Sequence, residues 1–217
     1  LLQLAFSDLA TEHIGVRRLR VHVSSTVLAV VLQAAGGVLH AFAAAPNSPW
    51  LYRAYQAAEG LPDNSINGLA QTADGYLWVA TPAGLLSFNG QDFSLVPHNN
   101  LANAPARAVR ALIRDHRDRL WLGMQRGPLL CLTPQGVENV TAKAGLPKQT
   151  VWKLAEDGEG GVFVVYVDGQ VFRVLDGKAQ PIALPADMQQ PYAIMVASDR
   201  QGTMWFGAGK HAGIWQK

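Results

Sequence analysis

The sequence predicts an all-β chain that repeats one four-stranded antiparallel sheet, and three observations carry that expectation. The run Gly75-Tyr76-Leu77-Trp78-Val79-Ala80 returns as Asp118-Arg119-Leu120-Trp121-Leu122-Gly123, as Gly160-Gly161-Val162-Phe163-Val164-Val165 and as Gly202-Thr203-Met204-Trp205-Phe206-Gly207. The aromatic anchors Trp78, Trp121, Phe163 and Trp205 are thereby 43, 42 and 42 residues apart. Other landmarks keep the phase: Pro62, Pro105 and Pro147 stand 16 residues before the first three anchors, and Gly84, Gly127 and Gly169 stand 6 after them. The third observation is the texture between landmarks, where short apolar runs alternate with Asp-Gly, Asn-Gly and Pro turns. A period of this length, built this way, marks propeller blades or solenoid turns.

Taken in order, residues 1–16 carry no periodic pattern. Arg17-Arg18-Leu19-Arg20, the apolar run Val21 to Leu39, and the small residues Ala41-Phe42-Ala43 then describe a helical secretory signal, with cleavage expected after Ala43. A retained membrane anchor is the alternative, since the run is long enough to span; His22, Ser24, Gln33 and the Gly36-Gly37 pair weaken it as a permanent span. Residues 1–45 are therefore assigned to leader sequence, and 46–217 to a partial propeller with repeats at about 60–102, 103–144, 145–188 and 189–217.

Trp50 to Tyr55 reads as a strand, aromatic and followed by the turn-rich Glu59-Gly60-Leu61-Pro62-Asp63. In the first repeat, Ile66 to Gln71, Leu77 to Thr81, Leu85 to Phe88 and Asp92 to Val96 are expected strands, with Asn89-Gly90 a strong hairpin signal. The second repeat offers Val109 to Arg114, Leu120 to Gly123 and Leu129 to Leu132; the third offers Val151 to Glu156, Val162 to Val167 and Val171 to Leu175. The fourth offers Tyr192 to Ala197 and Met204 to Gly207. Successive apolar residues, without alternation, fit sheets covered on both faces by their neighbours. No helix is expected after residue 45. The anchors are expected to fill the wedge between adjacent sheets, with Ala80, Gly123 and Gly207 letting backbones approach, and Gly75, Gly160 and Gly202 supplying positive φ in the turns.

Nearly half the residues are apolar (49%) and few are charged (16%), so a disordered chain is excluded. The net charge is +2, and beyond residue 45 the chain has 15 basic and 14 acidic residues, which gives no electrostatic case for nucleic acid. A single cysteine, Cys131, excludes an internal disulfide and a cysteine-based zinc site, and reads as a small buried hydrophobe.

Together Gly60-Leu61-Pro62-Asp63-Asn64-Ser65-Ile66, Asp74-Gly75-Tyr76-Leu77-Trp78-Val79-Ala80-Thr81 and Gly84-Leu85-Leu86-Ser87-Phe88-Asn89-Gly90 closely resemble the two-component regulator propeller repeat. The resemblance covers residues 50–217. The first repeat is near-complete; the second has Asp118 where the pattern has Gly, and the third has Phe163 for Trp and Val165 for Gly. It implies the exported, periplasmic sensing part of an inner-membrane receptor, most often a histidine kinase. A small-molecule or oligosaccharide ligand, a homodimeric receptor and no cofactor, metal or nucleic acid are what it leads one to expect of this segment. A secreted propeller enzyme (lyase or hydrolase) and a secreted protein-binding scaffold stand as alternatives.

Few residues suggest chemistry. Asp157-Gly158-Glu159-Gly160-Gly161 superficially matches an ATP-binding loop but sits at a repeat turn. His98, His116 and His211 lie on separate repeats without ligand spacing, and Asp115-His116-Arg117-Asp118 reads as a solvated loop. Arg107, Arg110, Arg114, Arg117, Arg119 and Arg126 cluster in the second repeat and are candidates for an acidic ligand or a membrane surface, and Tyr76 or Trp152 for stacking on a sugar. Catalytic, cofactor-binding and metal-binding residues are assigned to none.

Overall fold

A computed structural model describes residues 53–101 and 108–215. The leader with its cut after Ala43, residues Trp50 to Tyr52, Pro105 and Arg107 lie outside the described residues. Within Ala54–Lys217 the described residues form four antiparallel sheets, three of four strands and one of three. The first comprises β1 (Gly68–Gln71), β2 (Leu77–Thr81), β3 (Gly84–Phe88) and β4 (Phe93–Leu95). The second comprises β5 (Val109–Arg114), β6 (Leu120–Met124), β7 (Leu129–Thr133) and β8 (Gly136–Asn139). The third comprises β9 (Val151–Glu156), β10 (Val162–Tyr166), β11 (Val171–Leu175) and β12 (Lys178–Ile182), and the fourth β13 (Met195–Ser198), β14 (Met204–Ala208) and β15 (His211–Trp215). Each sheet is a simple meander in chain order. The first strand of each sheet packs beside the first strand of the next, β1 on β5, β5 on β9 and β9 on β13, so these strands form a common inner edge. This is part of a β-propeller.

The period-two pleat puts alternate residues on opposite faces, and both faces are apolar because each meets a neighbouring sheet. In the second sheet, Ile113, Trp121 and Cys131 stand in one cross-strand row and Ala111, Gly123 and Leu129 in the next. That face packs on Val151, Leu154, Val164 and Val174 of the third sheet. The opposite face, with Leu112, Leu122 and Leu130, packs on Ala80 and Leu85 of the first. Phe163 and Val171 of the third sheet meet Met204 and Phe206 of the fourth in the same manner. Backbones approach closely enough that a Cβ on Gly123 would lie 2.6 Å from the side chain of Val151. Cys131 is buried in this core, and burial pushes its thiol up to about 11.

Three expectations need correction. Residues 53–56 are not in a strand; Tyr55 instead lays its ring edge against Phe88 and Phe93 of the first sheet. Helix is present: Val140–Ala144 forms a single α-turn, α1, capped by the Asn139 side chain, and Ala57–Glu59 and His98–Leu101 are 3-10 turns. Both Gly60-Leu61-Pro62 and Gly145-Leu146-Pro147 end such a turn, with the glycine left-handed (φ 96° and 69°) and the following leucine buried. Finally, β13 starts at Met195, because Pro191 to Ala193 form a turn in which Tyr192 is left-handed.

Candidate functional site

The inner edge has two ends with different chemistry. At one end lie the hairpin turns that join the first and second strands of each sheet. The residue six before each anchor organises its turn. Asp115 accepts the Trp121 indole N–H at 2.8 Å on Oδ2 and the Arg117 and Arg119 amides on Oδ1. Thr72 accepts the Trp78 indole at 2.9 Å, and Asp199 accepts that of Trp205 at 3.1 Å. In the third sheet Phe163 has no N–H to give, and the cross-strand partner of Phe163 supplies one: Arg173 donates from Nε to Asp157 Oδ2 at 2.6 Å. Arg173 and Asp157 are almost fully buried. Burial pushes the Asp115 and Asp157 carboxyls up, yet the donors outweigh it: Trp121 and Arg119 hold Asp115, and Arg173 with the Gly161 and Glu159 amides hold Asp157, below the usual carboxylate range.

Neighbouring turns are latched as well. The Ala73 amide donates to the Asp118 carboxylate at 3.0 Å, the His116 amide to Glu156 at 2.8 Å, and the Gly158 amide to the Gly202 carbonyl at 3.2 Å. An open groove of about 620 Å³ lies beside these turns, with Arg114, Glu156, Ser198 and Arg200 among its lining residues. Most of its charges are already paired, Arg114 with Asp118 and Glu156 with the His116 ring. The expected solvated loop at Asp115 to Asp118 holds at His116 and Arg117, which are exposed, and is corrected at Asp115, which is buried and organises the turn. Asp118, at φ 62°, occupies the left-handed position filled by Gly75, Gly160 and Gly202 in the other sheets, a conformation Asp tolerates better than most residues.

At the opposite end the chain enters each first strand. Two β-bulges occur there, at matching positions. Val109 pairs with Met124 and Ala111 with Gly123, leaving Arg110 as the extra residue; Val151 pairs with Tyr166 and Lys153 with Val165, leaving Trp152. A bulge frees its extra side chain from the ladder and re-aims it. The result is a row of side chains crossing four repeats. Asn67 donates from Nδ2 to the Val109 carbonyl at 2.8 Å and accepts from Arg110 Nη1 at 3.3 Å. The Arg110 guanidinium carbon sits 4.4 Å from the Trp152 ring centroid, and Lys153 Nζ lies 5.6 Å from it. Tyr192 meets Trp152 edge-on at 5.6 Å. Its amide donates to the Val167 carbonyl at 3.0 Å, which helps hold the backbone at φ 58°, a conformation costing on the order of 1 kcal/mol for a bulky residue.

Among the described residues neither Arg110 nor Lys153 is in an ion pair, and the buried Trp152 Nε1 has no hydrogen-bond partner. The sequence cluster of arginines is thus divided between the ends. Arg110 and Arg126 lie toward the entry end, the latter with its amide on Thr150 Oγ1 at 2.8 Å. Arg114, Arg117 and Arg119 sit at the turn end on Asp118, His116 and Asp115. The other residues singled out in the sequence fall as follows. Trp78 is half-buried, Trp121 and Phe163 are buried, and Trp205 is 48% exposed, which departs from the wedge-filling expectation because no sheet among the described residues covers its face. Gly84 and Gly169 take positive φ in their turns, whereas at Gly127 the left-handed residue is its neighbour Arg126. Tyr76 is exposed, and His211 lies 3.3 Å from Asp187. Sequence reasoning passes over Asn67 and places Tyr192 in a strand; the shared 42-residue phase of Arg110 and Trp152 is the available signal for the bulges.

Among the described residues, no group of three or more His, Cys, Asp and Glu is arranged to hold a metal ion, and no helix is long and apolar enough to cross a membrane. No curated protein matches the sequence. In solved structures the chain is similar to the extracellular domain of BT4673 from B. thetaiotaomicron, described as a one component or a hybrid two component system. The identity is 22% and the TM-score 0.54, over 72% of this chain and 22% of that one. The extracellular domain of the hybrid two component system BT3049 from the same organism matches at 13% identity and TM-score 0.53, over 69% of this chain and 20% of that one. Virginiamycin B lyase from Staphylococcus aureus matches at 13% identity and TM-score 0.54, over 71% of this chain and 53% of the lyase. The chain therefore spans about a fifth of the length of the two extracellular domains, and at these identities the likeness is one of fold. The family described as Two component regulator propeller matches residues 60–83, so this chain carries the two-component regulator propeller repeat within a partial β-propeller.

Proposed function

We propose that the chain is a ligand-sensing propeller segment of an exported receptor of the two-component type, with the entry end of the inner edge as its contact surface. The observation that carries this reading is the bulged pair Arg110 and Trp152, where the Arg110 guanidinium lies on the Trp152 ring with no carboxylate partner among the described residues. The repeat at residues 60–83, and the likeness in fold to extracellular domains of two-component systems, support the receptor context and a periplasmic location. A small molecule or an oligosaccharide bound across the four repeats would bridge sheets that otherwise touch pairwise. In a homodimeric receptor, any difference in affinity between two subunit poses then biases the output.

The test is a thermal-shift screen of the full chain against small molecules and oligosaccharides, with each recovered ligand examined by mass spectrometry. Binding at a hundredfold excess over Kd stabilises the folded chain by about 2.7 kcal/mol and raises its midpoint. The expected result is a raised midpoint with the ligand recovered unchanged. Chemical conversion of the ligand, or a library in which no member moves the midpoint, contradicts sensing.

A further inference from the structure

Building on that reading, we infer that the Arg110–Trp152–Tyr192 row takes a carboxylate-bearing sugar ring, its carboxylate on Arg110 and a C–H face of the ring against Tyr192. Arg110 and Lys153 both lie against the one Trp152 ring, and no carboxylate among the described residues pairs with either. Of the five guanidinium N–H groups of Arg110, one is engaged, and only by the long 3.3 Å bond to Asn67. The planar fork left over matches a carboxylate in two parallel hydrogen bonds.

Ring chemistry follows from exposure. Tyr192 is 64% exposed although it is aromatic, and its left-handed backbone keeps the ring against Trp152 rather than in the core. A phenol ring presented in this way offers an apolar face with a wet surround. An apolar or aromatic acid needs an enclosed pocket, whereas a hydroxyl-rich ring keeps its hydroxyls in water while one face stacks. The Asn67 carboxamide, at the far side of Arg110, helps hold the guanidinium in place by accepting from Nη1 while donating to the Val109 carbonyl. A nucleic-acid backbone would need a longer run of cations than this pair.

The experiment is titration calorimetry of the full chain with D-galacturonate, tetragalacturonate, D-glucose and inorganic phosphate. Expected are binding of the uronates, at least tenfold weaker binding of glucose and phosphate, and weakening of uronate binding by added salt. Arg110→Gln lowers uronate affinity at least tenfold, Arg110→Lys recovers part of that loss, and Tyr192→Ala lowers affinity severalfold. The exposed Tyr192 keeps the proposal open to refutation if an Arg110 variant fails to fold. Tetramer binding at least tenfold tighter than monomer identifies a residue within a polysaccharide chain as the source; equal affinities identify the free sugar. Glucose or phosphate binding as tightly as uronate, or unchanged affinity in either Arg110→Gln or Tyr192→Ala, overturns the inference. A chain that binds some other ligand but no uronate overturns it too, and leaves the sensing reading standing.

Discussion

The two ends of the inner edge begin from similar residues and use them in opposite ways. At the turn end, carboxylates, indoles and guanidinium groups are matched donor to acceptor: Asp115 to Trp121 and Arg119, Asp157 to Arg173, Asp118 to Arg114 and the Ala73 amide. At the entry end, Arg110 and Lys153 have only an indole ring and a carboxamide for company, and Trp152 Nε1 is left without an acceptor. An unmatched buried donor costs roughly 1–3 kcal/mol. The turn end is matched and holds the array together, whereas at the entry end Arg110 and Lys153 have no carboxylate partner among the described residues.

The largest expected effect comes from breaking the buried pair at the turn end. Arg173→Ser leaves Asp157 as a buried carboxylate without its cation and should cost about 3–5 kcal/mol in chemical denaturation. The companion change Phe163→Trp restores an indole donor, as in the second sheet, and the double variant should recover part of the loss. A double variant no more stable than Arg173→Ser would mean that arginine does not stand in for the indole. Neither change should alter ligand affinity at the entry end.

A smaller effect separates the ends by pH. Asp115 and Asp157 have folded pKa values lowered below those of the unfolded chain, because their donors together outweigh the cost of burial. Their stabilisation is present above the unfolded value of about 4 and is lost as the pH falls through the folded values, each tenfold gain in acidity on folding being worth about 1.4 kcal/mol. On this account the unfolding midpoint falls below about pH 4, and Asp115→Asn, which cannot gain a proton, shows a shallower fall from a lower starting stability. Equal acid sensitivity in the variant and the parent would remove Asp115 from the account.

Much of the scaffold is legible in the sequence. The anchors, the glycine turns and most strands follow from a period that repeats with matched local chemistry. What escapes does so for physical reasons. The α-turn at Val140–Ala144 is too short to print a helical period. A leucine after a left-handed glycine looks the same in a loop as in a helix stop. Asp115 reads as part of a solvated loop and Asp157 as part of a plain turn because their donors are either several residues away or across a strand: Trp121 is six positions on, and Arg173 is sixteen. The substitution of Phe163 for tryptophan looks like decay of the motif, yet Arg173 at the facing position compensates for it. At the candidate site, Arg110 and Trp152 both stand out in the sequence, but for unrelated reasons. Only the bulges, visible through the register, bring them together with Asn67 and Tyr192.

Hydrogen exchange of the full chain with and without D-galacturonate tests the division between the two ends most directly. The account predicts slowed exchange at the amides of residues 109–111, 151–153 and 192–194, with residues 115–119 and 157–161 unchanged. Slowing confined to those turns, or none at a saturating concentration, would contradict it.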